Sequence, residues 1–390
     1  MELKCQVQNY EWGKIGSNST VAQLAKNYTE IDDNVPYAEL WMGTHVNGPS
    51  IVKCTGVHLK DYIKENTCLI GEKVVEVFGE DLPFLFKVLS VNKALSIQAH
   101  PDKQLAEDLH KKFPDIYKDD NHKPELAIAL TPFEALCGFR PVSEIRNFVE
   151  NIPELGKIIG DQIKNISNDD EFLRQAFIAV LSCQKDVLEN ELNIFICRIQ
   201  TLDACTKDLI MAPLIENLNT QFPNDVGLFV VYFLNYVKLQ PSEAMFLGAS
   251  KPHAYLSGDC IECMACSDNV VRAGFTPKFI DVDTLTSMLI YKGETPRDIL
   301  FSPEEEDDFT KLYKPPVPDF AVAQIKVPNN VNYSTIKRVS ASILLVISGV
   351  GSTNTGGTLD KGTVLFIPVN ETLTITAGDD LIMFQAFANV

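Results

Sequence analysis

The hydrophobic period of this chain changes twice along its length, and that alternation constrains the fold more than any other feature. Up to about residue 140, short apolar runs are broken by Gly, Pro and Asn. The runs SIVKCTGV, LPFLFKVLSV, ALSIQAH and LAIALTPFEALCGF read as β-strands, with one helical piece in KQLAEDLHKKF. From Val142 to about Lys238 the period becomes helical. Ile145, Phe148, Val149 and Ile152 follow the i, i+3, i+4, i+7 pattern, and Leu188, Leu192 and Ile196 continue it. Helix starts are expected at Asp170 and Glu171 and at Asp225, before VGLFVVYFL. At Pro241 the strand pattern returns. A helical block between two strand-rich stretches is an insertion into a β domain or a cap against it. The acidic and then proline-rich segment Ser302 to Phe320 has the composition of a linker or long connection. Beyond it, ASILLVISGVGS, GTVLFIPVN, TLTITAGD and LIMFQAFANV are evenly spaced short strands, the signature of a second β-sandwich or barrel.

The residues suited to metal chemistry lie on both flanks of the helical block. Gln98 and His100 stand in LSIQAHPD, Glu125 in NHKPELA and His253 in KPHAYLSGD. Side chains on a strand alternate faces with period two. Ser96, Gln98 and His100 therefore share a face, as do Lys123 and Glu125, and so do His253, Tyr255 and Ser257. Two His and a carboxylate are typical zinc ligands, with a Gln amide oxygen an uncommon fourth. Such a site keeps net positive charge and favours an anionic substrate. Lys87 in FLFKVL sits in a run apolar enough to turn it inward. Lys123 and Lys278 are further cations near these motifs, and Arg272 in NVVRAGFTPK would by default pair with a surface carboxylate. Trp12 could line the wall. His122 alternates away from Lys123 and Glu125. His45, His58 and His110 have no partner in sequence. Cys260, Cys263 and Cys266 form a CxxCxxC run with no fourth ligand at suitable spacing, and buried thiols are the expected reading.

Composition narrows the partners. The chain has 390 residues and a net charge of −18, so neither nucleic acid nor an anionic membrane is an expected partner. The N-terminus carries no apolar signal region, no stretch approaches a membrane span, and the ten cysteines are scattered. A cytoplasmic protein is expected.

The motifs NYEWGKIGSNS, PYAELWMGTH, LSIQAHPDK, NHKPELAIALTPFEALCGFR, KPHAYLSGDCIECMACSDNVVRAGFTPKFIDV and FQAFANV resemble type I phosphomannose isomerases along the whole chain. The resemblance implies a zinc-dependent cupin-type fold, mainly β with an α insertion. It divides the chain into a catalytic cupin domain (1–140 and 241–305), a helical domain (141–240) and a C-terminal cupin-like β domain (306–390). It also implies one Zn²⁺ held by Gln98, His100, Glu125 and His253. The resemblance moves Arg272 into the active-site cleft, where with Lys87, Lys123 and Lys278 it makes a candidate positive pocket. The implied reaction interconverts mannose 6-phosphate and fructose 6-phosphate through an enediol, supplying mannose for GDP-mannose and glycosylation, in an enzyme expected to be monomeric. That chemistry needs a base, for which Glu262, Lys123, Tyr255 and a zinc-bound water are candidates. Glu262 lies in the apolar stretch CIECMAC, where burial would raise its pKa. Lys87, Ser96, Lys278 and Trp12 are candidate substrate contacts. Two alternatives stand beside this reading: a non-catalytic sugar-phosphate-binding cupin, and a metal cupin of another reaction class, such as a non-haem iron oxygenase.

Overall fold

A computed structural model describes residues 1–390. Its hub is the long strand His253–Ala265, every residue of which is buried except the half-buried Ser257. The first part of this strand pairs with Phe133–Phe139, and His253 stands opposite Gln98 of the strand Ile97–Ala99. Its second part runs between Phe84–Val91 and Glu125–Ala129. The strand Val271–Gly274 continues the sheet beyond Ile97–Ala99 and sets Arg272 opposite Gln98. All these pairings are antiparallel and belong to one ten-stranded sheet.

Alternation along these strands sorts side chains into two environments. Ile97, Ala99, Ala254, Leu256, Val271 and Ala273 face outward into a core cluster of 41 buried residues that includes the helical insertion. Helices Val142–Asn151, Pro153–Ile159, Asp169–Leu181, Lys185–Thr201 and Ala212–Gln221 supply the other wall of that core. Full burial of an aliphatic side chain contributes roughly 1.5–3 kcal/mol, so this packing fixes the strands firmly. Gln98, His253, Tyr255 and Arg272 consequently point the other way, into the curved interior of the sheet.

A second, eight-stranded sheet packs against the first. Its strand Ser342–Ser348 is apolar on both faces: Ile343 and Leu345 meet Phe86, Val88 and Leu126 of the ten-stranded sheet, while Leu344 and Val346 face the C-terminal core. A four-stranded sheet, from Asn332–Ser334 to Thr358–Leu359, closes that core.

Several expectations need correction. The segment Ser302 to Phe320 is not a free linker, because Glu304–Glu305 and Thr310–Tyr313 form the edge of the eight-stranded sheet. That sheet also does not begin at residue 306. It takes Glu2–Lys4 and Ile51–Val52 from the N-terminal end of the chain. The apolar run VGLFVVYFL is helical only at Gly227–Val230 and turns into the strand Leu234–Leu239, since it is buried all round and carries no helical face to read. The helix expected to begin at Asp170 begins at Asp169, with the Asn168 side chain accepting from the Glu171 N–H. Short helices at Thr20–Ala25, Leu59–Glu65 and Glu72–Phe78 carried too few turns for their period to register.

The hub strand departs from strict alternation in one place. Register slips between Glu134 and Ala135, which pair with Ser257 and Tyr255, and Gly258 follows with φ of +109°. Beyond this bulge the inward positions change parity. Tyr255 and Cys260 share one core cluster, while Ile261 and Cys263 enter the interface between the sheets. A Cβ at Gly258 would lie 2.5 Å from the Pro132 carbonyl oxygen. Gly258→Ala is therefore expected to destabilise the protein by at least about 1–3 kcal/mol, the cost of such a conformation in a residue with a side chain. Urea unfolding measures this, and an unchanged midpoint would contradict the bulge.

Candidate metal centre and sugar-phosphate pocket

Two strands and the end of a third converge on a buried cluster of His100, Glu125 and His253, whose ligand atoms all lie within 4.8 Å of one another. His100 Nε2 stands 3.4 Å from Glu125 Oε1 and His253 Nε2 stands 3.2 Å from Glu125 Oε2. The two imidazole rings are tilted with centroids 5.1 Å apart. Backbone carbonyls fix the tautomers. His100 Nδ1 is 2.7 Å from the Asn269 oxygen and His253 Nδ1 is 2.9 Å from the Lys251 oxygen. A carbonyl can only accept, so each Nδ1 carries the hydrogen and each Nε2 presents a lone pair to the interior. Neither Nε2 has a hydrogen-bond partner, and neither does Glu125 Oε2. Three buried, convergent and unsatisfied donor atoms are costly unless a cation completes them. Two imidazoles and a carboxylate, with Gln98 beside His253 in register, are the donor set of zinc.

Electrostatics set the protonation of this cluster. Burial lowers the His100 pKa to about 4, so the ring is neutral at neutral pH. Burial also opposes ionisation of Glu125, but the Lys123 ammonium, 3.2 Å away, outweighs it and holds the carboxyl well below its usual range.

A second charged group lies on the same interior. Lys87 is buried, 3.3 Å from Glu39 and 3.2 Å from Glu262. Burial works against its charge, yet these two carboxylates raise its pKa above the ordinary lysine value. Glu262 is pushed upward, by burial first, with Glu125 and Glu39 acting in the same direction and Lys87 opposing. The Tyr255 hydroxyl donates to Glu262 Oε1 at 2.8 Å, and burial raises the phenol pKa well above its usual value.

The remaining expected residues divide plainly. Arg272 is half-buried, with no carboxylate beside it, and burial alone lowers its pKa. Ser96 is half-buried just before Gln98. Trp12 is half-buried against the cluster holding Tyr255 and stacks on Tyr10 at 5.9 Å. Lys278 is exposed, on the loop after Val271–Gly274. Lys87 does turn inward as its apolar run implies, but its charge is taken by two carboxylates and is not available as part of an open positive pocket. His122 faces Asp319 at 3.1 Å, away from the cluster. The thiols of Cys260 and Cys263 are buried on opposite faces. Sequence reading missed Glu39, although a carboxylate in the apolar run YAELWMG was the same kind of signal as Lys87.

The description "Phosphomannose isomerase type I, catalytic domain" matches residues 1–142, and "Phosphomannose isomerase type I, helical insertion domain" matches 153–234. The chain belongs to the type I phosphomannose isomerase family. The human mannose-6-phosphate isomerase is 47% identical over 98% of this chain and 97% of its own length. The enzyme of Schizosaccharomyces pombe is 44% identical over 100% of this chain and 99% of its own. Among solved structures, a mannose 6-phosphate isomerase bound with zinc and yttrium superposes with a TM-score of 0.88 at 32% identity. The apo form from Salmonella typhimurium gives 0.88 at 33%. Each of these two covers 100% of this chain and 99% of the solved one. The type I phosphomannose isomerase fold is thus a cupin with a helical insertion, as the sequence motifs implied.

Two outcomes follow from the geometry. His253→Ala removes one of three convergent donors and is expected to strip zinc, measured by metal analysis after dialysis, while leaving the far-ultraviolet spectrum largely intact. Full zinc retention would exclude His253 as a ligand. In the metal-free protein, the depressed His100 pKa means that the unfolded chain binds the extra proton first. Stability supplied by this residue is present above about pH 6.5 and is lost as pH falls from there towards 4. Thermal melts of the metal-free form across that window are expected to show the decline.

Proposed function

We propose that this chain is a zinc-dependent aldose–ketose isomerase that interconverts mannose 6-phosphate and fructose 6-phosphate. The observation that carries the reading is the convergence of His100, Glu125 and His253, each with an unsatisfied buried donor atom, in a chain of this family. One Zn²⁺ per chain would be held by these three residues and Gln98, and when bound it supplies Lewis-acid polarisation of sugar oxygens.

The protein's own groups account for the proton movement. Isomerisation transfers a proton between C2 and C1, so one base must take it and return it. Among Glu262, Lys123 and Tyr255, the reading favours Glu262. Its raised pKa gives it basicity suited to the task, and the Tyr255 hydroxyl and Lys87 fix its two oxygens in place. Lys123 is engaged with Glu125, and Tyr255 holds its proton too tightly to serve as the base. Arg272 supplies a guanidinium with no protein carboxylate beside it, suited to the substrate phosphate or the negative charge that develops on the enediol oxygen. Ser96 and Trp12, both half-buried, are the pocket lining in this reading, and the exposed Lys278, on the loop beyond Arg272, is its further phosphate contact.

The wider setting suits an enzyme acting on a small metabolite. No helix is long and apolar enough to cross a membrane. All ten cysteines are free thiols, four of them exposed, which suits the reducing cytoplasm. The net charge of −18 disfavours nucleic acid.

A coupled assay that follows fructose 6-phosphate formed from mannose 6-phosphate tests the activity directly, and metal-loaded protein with no turnover would overturn it. Glu262→Gln is expected to lower kcat by about 10²–10⁴-fold, the range for a general base. In the wild type, kcat/KM should rise with pH through an acid limb lying above the ordinary carboxylate range, because Glu262 must be ionised to act. Retention of that limb in Glu262→Gln would reassign the base. Arg272→Ala should cut kcat/KM by about a hundredfold or more with zinc content and melting temperature nearly unchanged. A fall in kcat places its action on the enediol charge, and a rise in KM alone places it on the phosphate.

A further inference from the structure

The carbonyl that orients His100 belongs to a turn, Ser267-Asp268-Asn269, with no regular structure of its own. What holds this turn is a dense set of hydrogen bonds to residues 119–121, which lead into the strand carrying Glu125. Asp119 Oδ1 accepts from the Ser267 hydroxyl at 2.8 Å and from Asn269 Nδ2 at 3.1 Å, while Oδ2 accepts from the Asp268 N–H at 2.7 Å. The Asp119 carbonyl accepts from Asn269 Nδ2 at 2.7 Å. The Asn121 carbonyl accepts from Ser267 and Asn269, both at 3.0 Å, and the Asn121 amide donates to the Cys266 carbonyl at 3.0 Å. Ser267 and Asn269 are 2% and 1% exposed, so these bonds form away from competing water. The helical insertion separates the two partners in the chain, and their closure bridges 148–150 residues.

We propose that Asp119 is a positioning residue for the metal centre. Its carboxylate folds the turn so that the Asn269 carbonyl meets His100 Nδ1 at 2.7 Å and holds the ring with Nε2 aimed at Glu125. The same carboxylate sits six residues before Glu125 and three before Arg272 by way of the Asn269 turn, so one group sets the relative placement of both flanks of the site. The inference rests on the zinc reading above and assigns a role outside the ligands themselves. Groups that orient a metal-ligating histidine typically carry a 10–100-fold effect on metal affinity.

The test is zinc affinity, measured by competition with a chromophoric chelator, together with the visible spectrum of the cobalt-substituted protein. Asp119→Ala is expected to weaken zinc by about 10–100-fold and to alter the cobalt bands. Asp119→Asn keeps Oδ1 and loses only the acceptor for the Asp268 N–H, so it should fall between Asp119→Ala and wild type. This variant keeps the test open should Asp119→Ala fail to fold. Ile375→Ala, which opens a cavity in the separate C-terminal core, controls for general loosening and should leave zinc affinity within about twofold. Wild-type affinity and cobalt spectrum in both Asp119 variants would overturn the proposal, as would an equal loss in Ile375→Ala. Failure of the underlying zinc reading would look different: His100→Ala would then keep its metal.

Discussion

The site depends on one division of labour across three strands. Ile97, Ala99, Ala254, Leu256, Val271 and Ala273 bury their side chains against the helical insertion, and the residues between them are thereby forced into the interior. Gln98, His253 and Arg272 stand in register on neighbouring strands, so their separation is set by strand spacing rather than by loops. The insertion therefore acts as the outer wall of the metal centre. Its burial energy helps offset the cost of assembling three unsatisfied donors before any metal arrives.

Within that interior, two carboxylates are driven in opposite directions. Glu125 lies among Lys123, His100 and His253 and stays ionised. Glu262, with Glu39 and Glu125 nearby, is pushed upward despite Lys87. Separating the pKa values of two acids in one cavity suits one to be a ligand and the other to carry a proton. Lys87 is the balancing charge. Without it, Glu39 and Glu262 would face each other across strands Glu39–Met42, Phe84–Val91 and His253–Ala265. Arg272 is the charged group left without a carboxylate, in a protein that carries an excess of them.

The chain's two changes of period are faithful to its architecture, because helical and strand patterns differ in which positions must be apolar. The motif residues His100, Glu125 and His253 carry ligand chemistry in their side chains, and strand alternation pairs Gln98 with the correct face. Lys87 was legible as inward-facing because few environments other than a charged partner explain a lysine in FLFKVL. Its partner was not legible, because Glu39 and Glu262 meet it only through sheet pairing. The acidic stretch Ser302 to Phe320 misleads for a related reason: edge strands have one open side, so polar composition does not distinguish them from linkers.

By itself, then, the sequence determined the strand–helix–strand order and which side chains with ligand chemistry share a strand face, since these follow from local periodicity and side-chain chemistry. Tertiary structure decided what local rules cannot reach. The bulge before Gly258 reverses the alternation, so that Tyr255 and Glu262, seven residues apart and on opposite faces of a regular strand, share a 2.8 Å hydrogen bond. The N-terminal strand joins the C-terminal sheet, and Asn269 sets the tautomer of His100 from far along the chain. Each of these depends on hydrogen bonds between segments distant in sequence, whose pairing is fixed only when the whole core packs.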